Sequence, residues 1–180
     1  MMNQHKFNQN WQNWFTKEAS KFLLFAKQQS RNSYEAEDIL QDSLVKLLKK
    51  SSHKEIPEDT IVYKTIRNLA IDYARSNIRR IRREEIAQEL EGISMAEWFE
   101  NDFDKKDRQK RLEDAIKILP EKQQEVIILK IWGEQTFDGI AEILNLSANT
   151  VASRYRYGLQ ALHKSLNTKH KHKTPNPFKS

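Results

Sequence analysis

Residues 136–166, TFDGIAEILNLSANTVASRYRYGLQALHKSL, decide how the chain is read. Thr136 is a suitable N-cap, and Asp138 places a negative charge in the first turn of a helix, where the dipole favours it. Phe137, Ile140, Ala141 and Leu144 recur at i, i+3, i+4 and i+7 and form one apolar stripe. Asn145-Leu146-Ser147 then interrupts the pattern. Asn tolerates positive φ better than any residue but Gly, and Ser147 can cap a following helix. In that second helix Val151, Tyr155, Leu159, Leu162 and Leu166 are expected to face inward. A small residue (Ala141), a turn residue (Asn145) and an inward aliphatic (Val151) at this spacing predict a helix-turn-helix whose second helix enters a DNA major groove. The bland alternative is a capped helical hairpin with no ligand.

Composition bounds the rest. The chain has 180 residues, 38% hydrophobic and 31% charged, with four Gly and four Pro. That apolar share suits two small helical domains better than one large core, and few turn-formers argue against an all-β fold. The net charge is +6 and the pI about 9.4, which points to nucleic acid, an anionic surface or an acidic partner. Without cysteine there are no disulfides and no thiolate metal sites. The start, MMNQHKFNQNWQNW, has no apolar core of a signal segment, and no stretch is long enough to span a bilayer. The expectation is a soluble cytoplasmic protein with no membrane insertion.

Upstream, three helices are expected. The first runs from about Phe7 to Gln29, with Trp11, Trp14, Phe15, Phe22, Phe25 and Ala26 on a broken stripe. After a turn capped by Asn32 or Ser33, the second spans Tyr34 to Lys50, with Ala36, Ile39, Leu40, Leu44, Leu47 and Leu48 inside. It is acidic at its start (Glu35, Glu37, Asp38, Asp42) and basic at its end, as the dipole favours. Beyond a polar loop with Pro57, the third runs from Thr60 past Arg80. Ile61, Ile66, Leu69, Ala70, Tyr73 and Ala74 are expected to face inward. Between residues 64 and 83 it carries Lys64, Arg67, Arg75, Arg79, Arg80, Arg82 and Arg83 against the single acid Asp72. Tyr63, Asn68, Tyr73 and Asn77 lie among them. Cations grip phosphates, and rings and amides accept unstacked bases, so the face suits nucleic acid; a solvated charged face is the alternative.

Composition then reverses. Residues 84–107 hold nine acids and two bases, both lysines, and read as an acidic linker with a short helix near Met95 to Phe99. Leu112, Ala115, Ile116 and Leu119 form a stripe that Pro120 stops. A further helix opens at Pro120-Glu121, points Val126, Ile127 and Ile131 inward, and ends near Trp132 with Gly133 as its C′ residue. The tail from Lys169, with KHKHK and two prolines, is expected to be disordered.

These pieces together resemble a family. YEAEDILQDSLVKLLKK, IVYKTIRNLAIDYARSNIRR (with Arg67-Asn68, Ala70, Asp72 and Arg75 at the recurring positions) and LPEKQQEVIILKIWGEQTFDGIAEILNLSANTVASRYRYGLQAL are similar to bacterial RNA polymerase sigma factors of the extracytoplasmic-function (ECF) subfamily. The resemblance covers nearly the whole chain outside the linker and tail. Three places depart from the pattern: Ile61 stands where Trp is usual, Ala152 where Lys or Arg is common, and Tyr157-Gly158 where Arg-Ala is usual.

The resemblance implies an all-α fold: a region 2-like domain over residues 1–84, an acidic linker over 85–107, a region 4-like helix-turn-helix domain over 108–168 and a basic tail over 169–180. It implies no enzyme activity, no cofactor and no metal. Glu37, Asp38, Gln41 and Asp42 would dock on the clamp helices of the largest subunit of core RNA polymerase. Tyr63, Arg67, Asn68, Arg75, Arg79 and Arg80 would meet the downstream promoter element where the duplex opens. Ser147, Asn149, Thr150, Ser153, Arg154 and Arg156 would read the upstream promoter DNA as duplex. The linker would thread toward the polymerase active centre. An anti-sigma factor, the regulator of many relatives, is a further partner the resemblance suggests.

Two other readings compete. A helix-turn-helix regulator acting without polymerase explains the C-terminal unit but not the paired acidic and basic helices. A metal-dependent nuclease needs a carboxylate cluster, yet Glu35 and Asp42 cannot share one helix face with both Glu37 and Asp38. His170 and His172 lie among lysines in the tail, where solvation is the ordinary fate.

Overall fold

The computed structural model describes residues 4–50, 55–84 and 106–171, with side chains over 7–50, 55–78 and 112–166. The expected linker helix near Met95, most of the linker and most of the tail lie outside the described residues. Every element in them is helical: α1 Gln4–Gln29, α2 Ser33–Lys50, α3 Asp59–Glu84, α4 Lys106–Lys117, α5 Glu121–Ile131, α6 Phe137–Leu144 and α7 Ala148–Lys171.

The first three helices pack on an aromatic centre. Phe22 and Phe25 of α1 are fully buried and meet Tyr63 of α3 edge-on, with ring centroids 5.0 and 5.4 Å apart. Edge-to-face geometry places ring hydrogens against a π face, which adds to the area the rings bury. Tyr63 therefore sets the rotation of α3. The buried line is Val62, Tyr63, Ile66 and Ala70, whereas Ile61, expected inside, is 43% exposed and Ala74 is exposed too. The Trp14 indole donates to Asp59 Oδ1 at 3.1 Å and ties α1 to the start of α3. Asn32 caps α2, its Oδ1 accepting from Glu35 N at 2.9 Å, while Glu35 Oε2 accepts from Arg31 N at 2.8 Å.

In the last four helices α5 is central. Its residues Glu125 to Leu129 are all buried, the mark of a helix covered on every side. The expected inward Ile131 is 44% exposed, and Ile128 and Leu129 take its place. Gly158 lies where α7 crosses α5: a Cβ there would sit 3.0 Å from Ile127 Cγ1, a contact so tight that the Ile127 side chain would have to shift by a few tenths of an ångström. The inner line of α7 is thus Val151, Tyr155, Gly158 and Leu162, and Leu159, expected inside, is 39% exposed.

The helix-turn-helix corner forms as its residues dictate. Thr136 Oγ1 accepts from Gly139 N at 3.0 Å, and Ser147 Oγ accepts from Thr150 N at 3.2 Å. Asn145 takes the left-handed conformation, φ 55° and ψ 54°, and its N–H reaches the carbonyls of Ala141 and Glu142. A β-branched residue there meets a penalty of roughly 1–2 kcal/mol. Asn145→Val should lower stability by about that amount in urea unfolding, and Asn145→Gly should be nearly neutral. Equal losses for both would mean that the Asn side chain, not the backbone angle, matters.

α1 and α3 meet α5 and α6 along a seam. Lys21 Nζ lies 3.0 Å from Glu134 Oε2, and Lys64 Nζ 3.1 Å from Glu142 Oε1. Thr60 Oγ1 donates to Gln135 Oε1 at 3.0 Å, and Gln29 Nε2 to the buried Glu125 at 2.9 Å. Gly133 follows the C-cap Trp132 as expected, but no described glycine has positive φ; Glu134 has it instead, at 54°. Gly133 is required for space instead, since a Cβ would lie 2.7 Å from Leu129 O and 3.1 Å from Tyr63 Oη. Two buried polar atoms at the seam, Tyr63 Oη and Arg67 Nε, have no hydrogen-bond partner among the described residues. Each such atom costs about 1–3 kcal/mol, while an exposed ion pair returns about 0–1 kcal/mol. The polar part of the seam thus holds the units together weakly.

Candidate nucleic-acid interface

The buried line of α7 determines which residues face out. At 100° per residue the direction opposite Val151, Tyr155, Gly158 and Leu162 carries Asn149, Ser153, Arg156, Tyr157 and Gln160. Of these, Asn149, Arg156, Tyr157 and Gln160 are exposed and Ser153 is half-buried. Arg154 lies on the flank and is half-buried. Ser147 and Thr150 are occupied at the cap, their hydroxyls 2.8 Å apart. The Arg156 guanidinium stacks over the Tyr157 ring at 5.2 Å from its centroid, which keeps the cation on the outward face. Tyr157 was missing from the sequence-based set. Its signal was available, because it follows Arg156 by one residue and falls as close to the outward direction.

On α3, Lys64, Asn68 and Arg75 fall within about 40° of one another. Asn68 is exposed, and Arg75 has a side chain 72% exposed beside Asp72 at 4.0 Å. Arg67 turns toward the seam, its Nε 4.0 Å from Glu125 Oε1. Tyr63, expected to face DNA, is 1% exposed. Burial also pushes its phenol well above the usual tyrosine range, with the Asp59 charge second. A ring packed between Phe22 and Phe25 cannot stack on a base, so Tyr63 leaves the set of DNA-facing residues. The side chains of Arg79 and Arg80 lie outside those described.

The acidic side of α2 faces solvent: Glu37, Asp38, Gln41 and Asp42 are all exposed. It is tied to the basic helix beside it. Tyr73 Oη donates to Asp42 Oδ2 at 2.7 Å, and Asn77 Nδ2 to Glu35 Oε1 at 3.1 Å. The bond to Asp42, with burial second, pushes the Tyr73 phenol up to about 12. Among the described residues no cluster of three His, Cys, Asp or Glu is placed to hold a metal ion, and no helix is long and apolar enough to cross a membrane.

Known proteins share this arrangement. Residues 109–162, which reach from α4 into α7, match the family described as sigma-70, region 4. The chain is 28% identical over 144 residues to the ECF RNA polymerase sigma factor SigW of Bacillus subtilis, spanning 75% of this chain and 77% of that protein. Its fold superposes on that of the sigma factor RpoE from Bartonella quintana, solved in complex with the anti-sigma factor NepR. The TM-score is 0.64 at 20% identity, covering 88% of this chain and 97% of the other. The helix-turn-helix, the acidic and basic helices before it and these likenesses point one way: the chain carries a sigma-70 region 4 match and is similar over three quarters of its length to an ECF sigma factor.

Proposed function

We propose that the chain binds core RNA polymerase and promoter DNA and directs transcription initiation by binding alone, without chemistry of its own. The observation that carries this is the outward face of α7, Asn149, Ser153, Arg156 and Gln160, presented on a helix-turn-helix within the matched sigma-70 region 4. The acidic face of Glu37, Asp38, Gln41 and Asp42 is the polymerase-docking surface. Residues 1–84 act as the docking and melting unit, 108–168 as the upstream-element reader and 85–107 as the linker. Arg67, Asn68, Arg75, Arg79 and Arg80 engage the opened downstream element. Such a chain works in the cytoplasm, and an anti-sigma factor, as in the Bartonella complex, is its regulatory partner.

The experiment is run-off transcription with core polymerase on a genomic promoter library. Discrete transcripts that require the chain are expected. DNA binding with no polymerase-dependent transcript would favour a regulator acting alone.

Within the reader, Arg156 contacts a base edge and Arg154 a flanking phosphate, because only Arg156 lies on the outward face. An arginine–guanine pair carries about 1–3 kcal/mol of discrimination. Arg156→Ala should relax preference at one upstream position. Arg154→Ala should weaken all sequences alike and flatten the salt dependence by about one phosphate contact. Selection of bound sequences at two salt concentrations checks both, and the reverse result would mean that α7 sits rotated in the groove.

A further inference from the structure

The seam employs cations that the promoter-facing helix also offers to DNA. Lys64 is held by Glu142 and Arg67 faces Glu125, both carboxylates of the C-terminal unit. Glu125 is buried and already accepts from Gln29, so Arg67 is drawn into the seam. Lys21 is bracketed by Glu18 and Glu134 at 3.0 Å each. Burial opposes its charge, but these two carboxylates outweigh that and hold its ammonium above the usual lysine range. We propose that Glu125, Glu134 and Glu142 form a phosphate-mimicking latch that masks Lys64 and Arg67, so that closure of the two units and capture of the opened downstream strand exclude each other. The inference rests on the function proposed above.

A permanent interface would satisfy its polar atoms. This one leaves Tyr63 Oη without a hydrogen bond among the described residues, and Arg67 Nε with only a 4.0 Å ion pair to Glu125. Its ion pairs lie open to water: the Glu134 and Glu142 side chains are 74% and 58% exposed. Glu134 also occupies the left-handed region, where a residue with a Cβ is strained, at the joint between α5 and α6. Closure is selective as well. The acidic face of α2 and the outward face of α7 stay exposed, so the closed chain still presents its polymerase-docking and duplex-reading surfaces. Of the described cations on α3, Lys64 and Arg67 are the ones turned to the seam, while Arg75 lies beside Asp72 of its own helix. A polyanion competing for Lys64 and Arg67 opens the latch, and salt weakens it by screening.

The chain has no cysteine, which allows clean labelling. Cysteines placed at Lys46 on α2 and Lys122 on α5, both exposed, would carry a fluorescent donor and acceptor on the full chain. Energy transfer should be high at low salt and fall as salt or a mixed-sequence single-stranded DNA oligomer is added. Glu134→Asn with Glu142→Gln should lower transfer already at low salt, since asparagine tolerates the left-handed angle and the fold is kept. If nine-tenths of the free chain is closed, this opening raises apparent affinity for the oligomer about tenfold. The charge swap Lys64→Glu with Glu142→Lys should restore transfer but not strand affinity. Unchanged transfer in the neutralised chain overturns the latch, and lowered transfer without a gain in strand affinity overturns the masking. Transfer needs no polymerase, so failed run-off transcription with the expected transfer response counts against the proposed function alone.

Discussion

Replacing Tyr63 with alanine is expected to destabilise the protein by about 3–5 kcal/mol, the range for deleting a buried aromatic ring. Tyr63→Phe is expected to be neutral or stabilising. The ring supplies two edge-on contacts, to Phe22 and Phe25. Its hydroxyl supplies nothing comparable: it is buried, without a partner among the described residues, and 3.1 Å from the point where a Cβ on Gly133 would lie. Phenylalanine keeps the first contribution and removes a polar atom whose burial costs about 1–3 kcal/mol. Urea unfolding of the two variants separates these contributions. Equal, large losses would mean that the hydroxyl is satisfied after all. Any loss of promoter binding in Tyr63→Ala should track the loss of folded protein.

Reversing Asp38 and Asp42 to lysine together is expected to weaken binding to core polymerase about 100-fold, equivalent to about 2.8 kcal/mol. The reversal sets like charges against the surface that the acidic face of α2 would meet. Asp42 also accepts the Tyr73 hydroxyl at 2.7 Å, so part of the effect could be local. Tyr73→Phe controls for this: it removes the bond, keeps the carboxylate and should leave polymerase affinity within about twofold if charge is what docks. Titration of fluorescently labelled chain with core enzyme measures both. DNA binding through α7 should be untouched, because that face is far from α2 in sequence and stays exposed. Full affinity after the double reversal at low salt would place the docking surface elsewhere.

Much of this architecture was legible in the residues. The order of the helices, the stop at Pro120, and the corner of Thr136, Asn145 and Ser147 rest on interactions within a few residues. A cap bonds to an amide three positions on, and a left-handed turn asks for a residue that tolerates it. The outward side of α7 was legible for the same reason, since Val151, Tyr155 and Leu162 mark its inner line.

The tertiary structure decided the margins of each stripe. Helical periodicity finds a buried direction to within about one residue on either side, and a neighbour's shape selects among the residues at its edge. Phe22 and Phe25 drew Tyr63 inside and left Ile61 out. The crossing of α5 and α7 buried Gly158 in close contact with Ile127 and left Leu159 half-out. All-round packing buried Ile128 and Leu129 and left Ile131 at the surface. The seam was the least legible feature. Its pairs, Lys21 with Glu134 and Lys64 with Glu142, lie 113 and 78 residues apart, and no local pattern couples charges at such separations. Only the folded chain brings them within reach, because their meeting depends on how two helical units are set against each other rather than on any helix by itself.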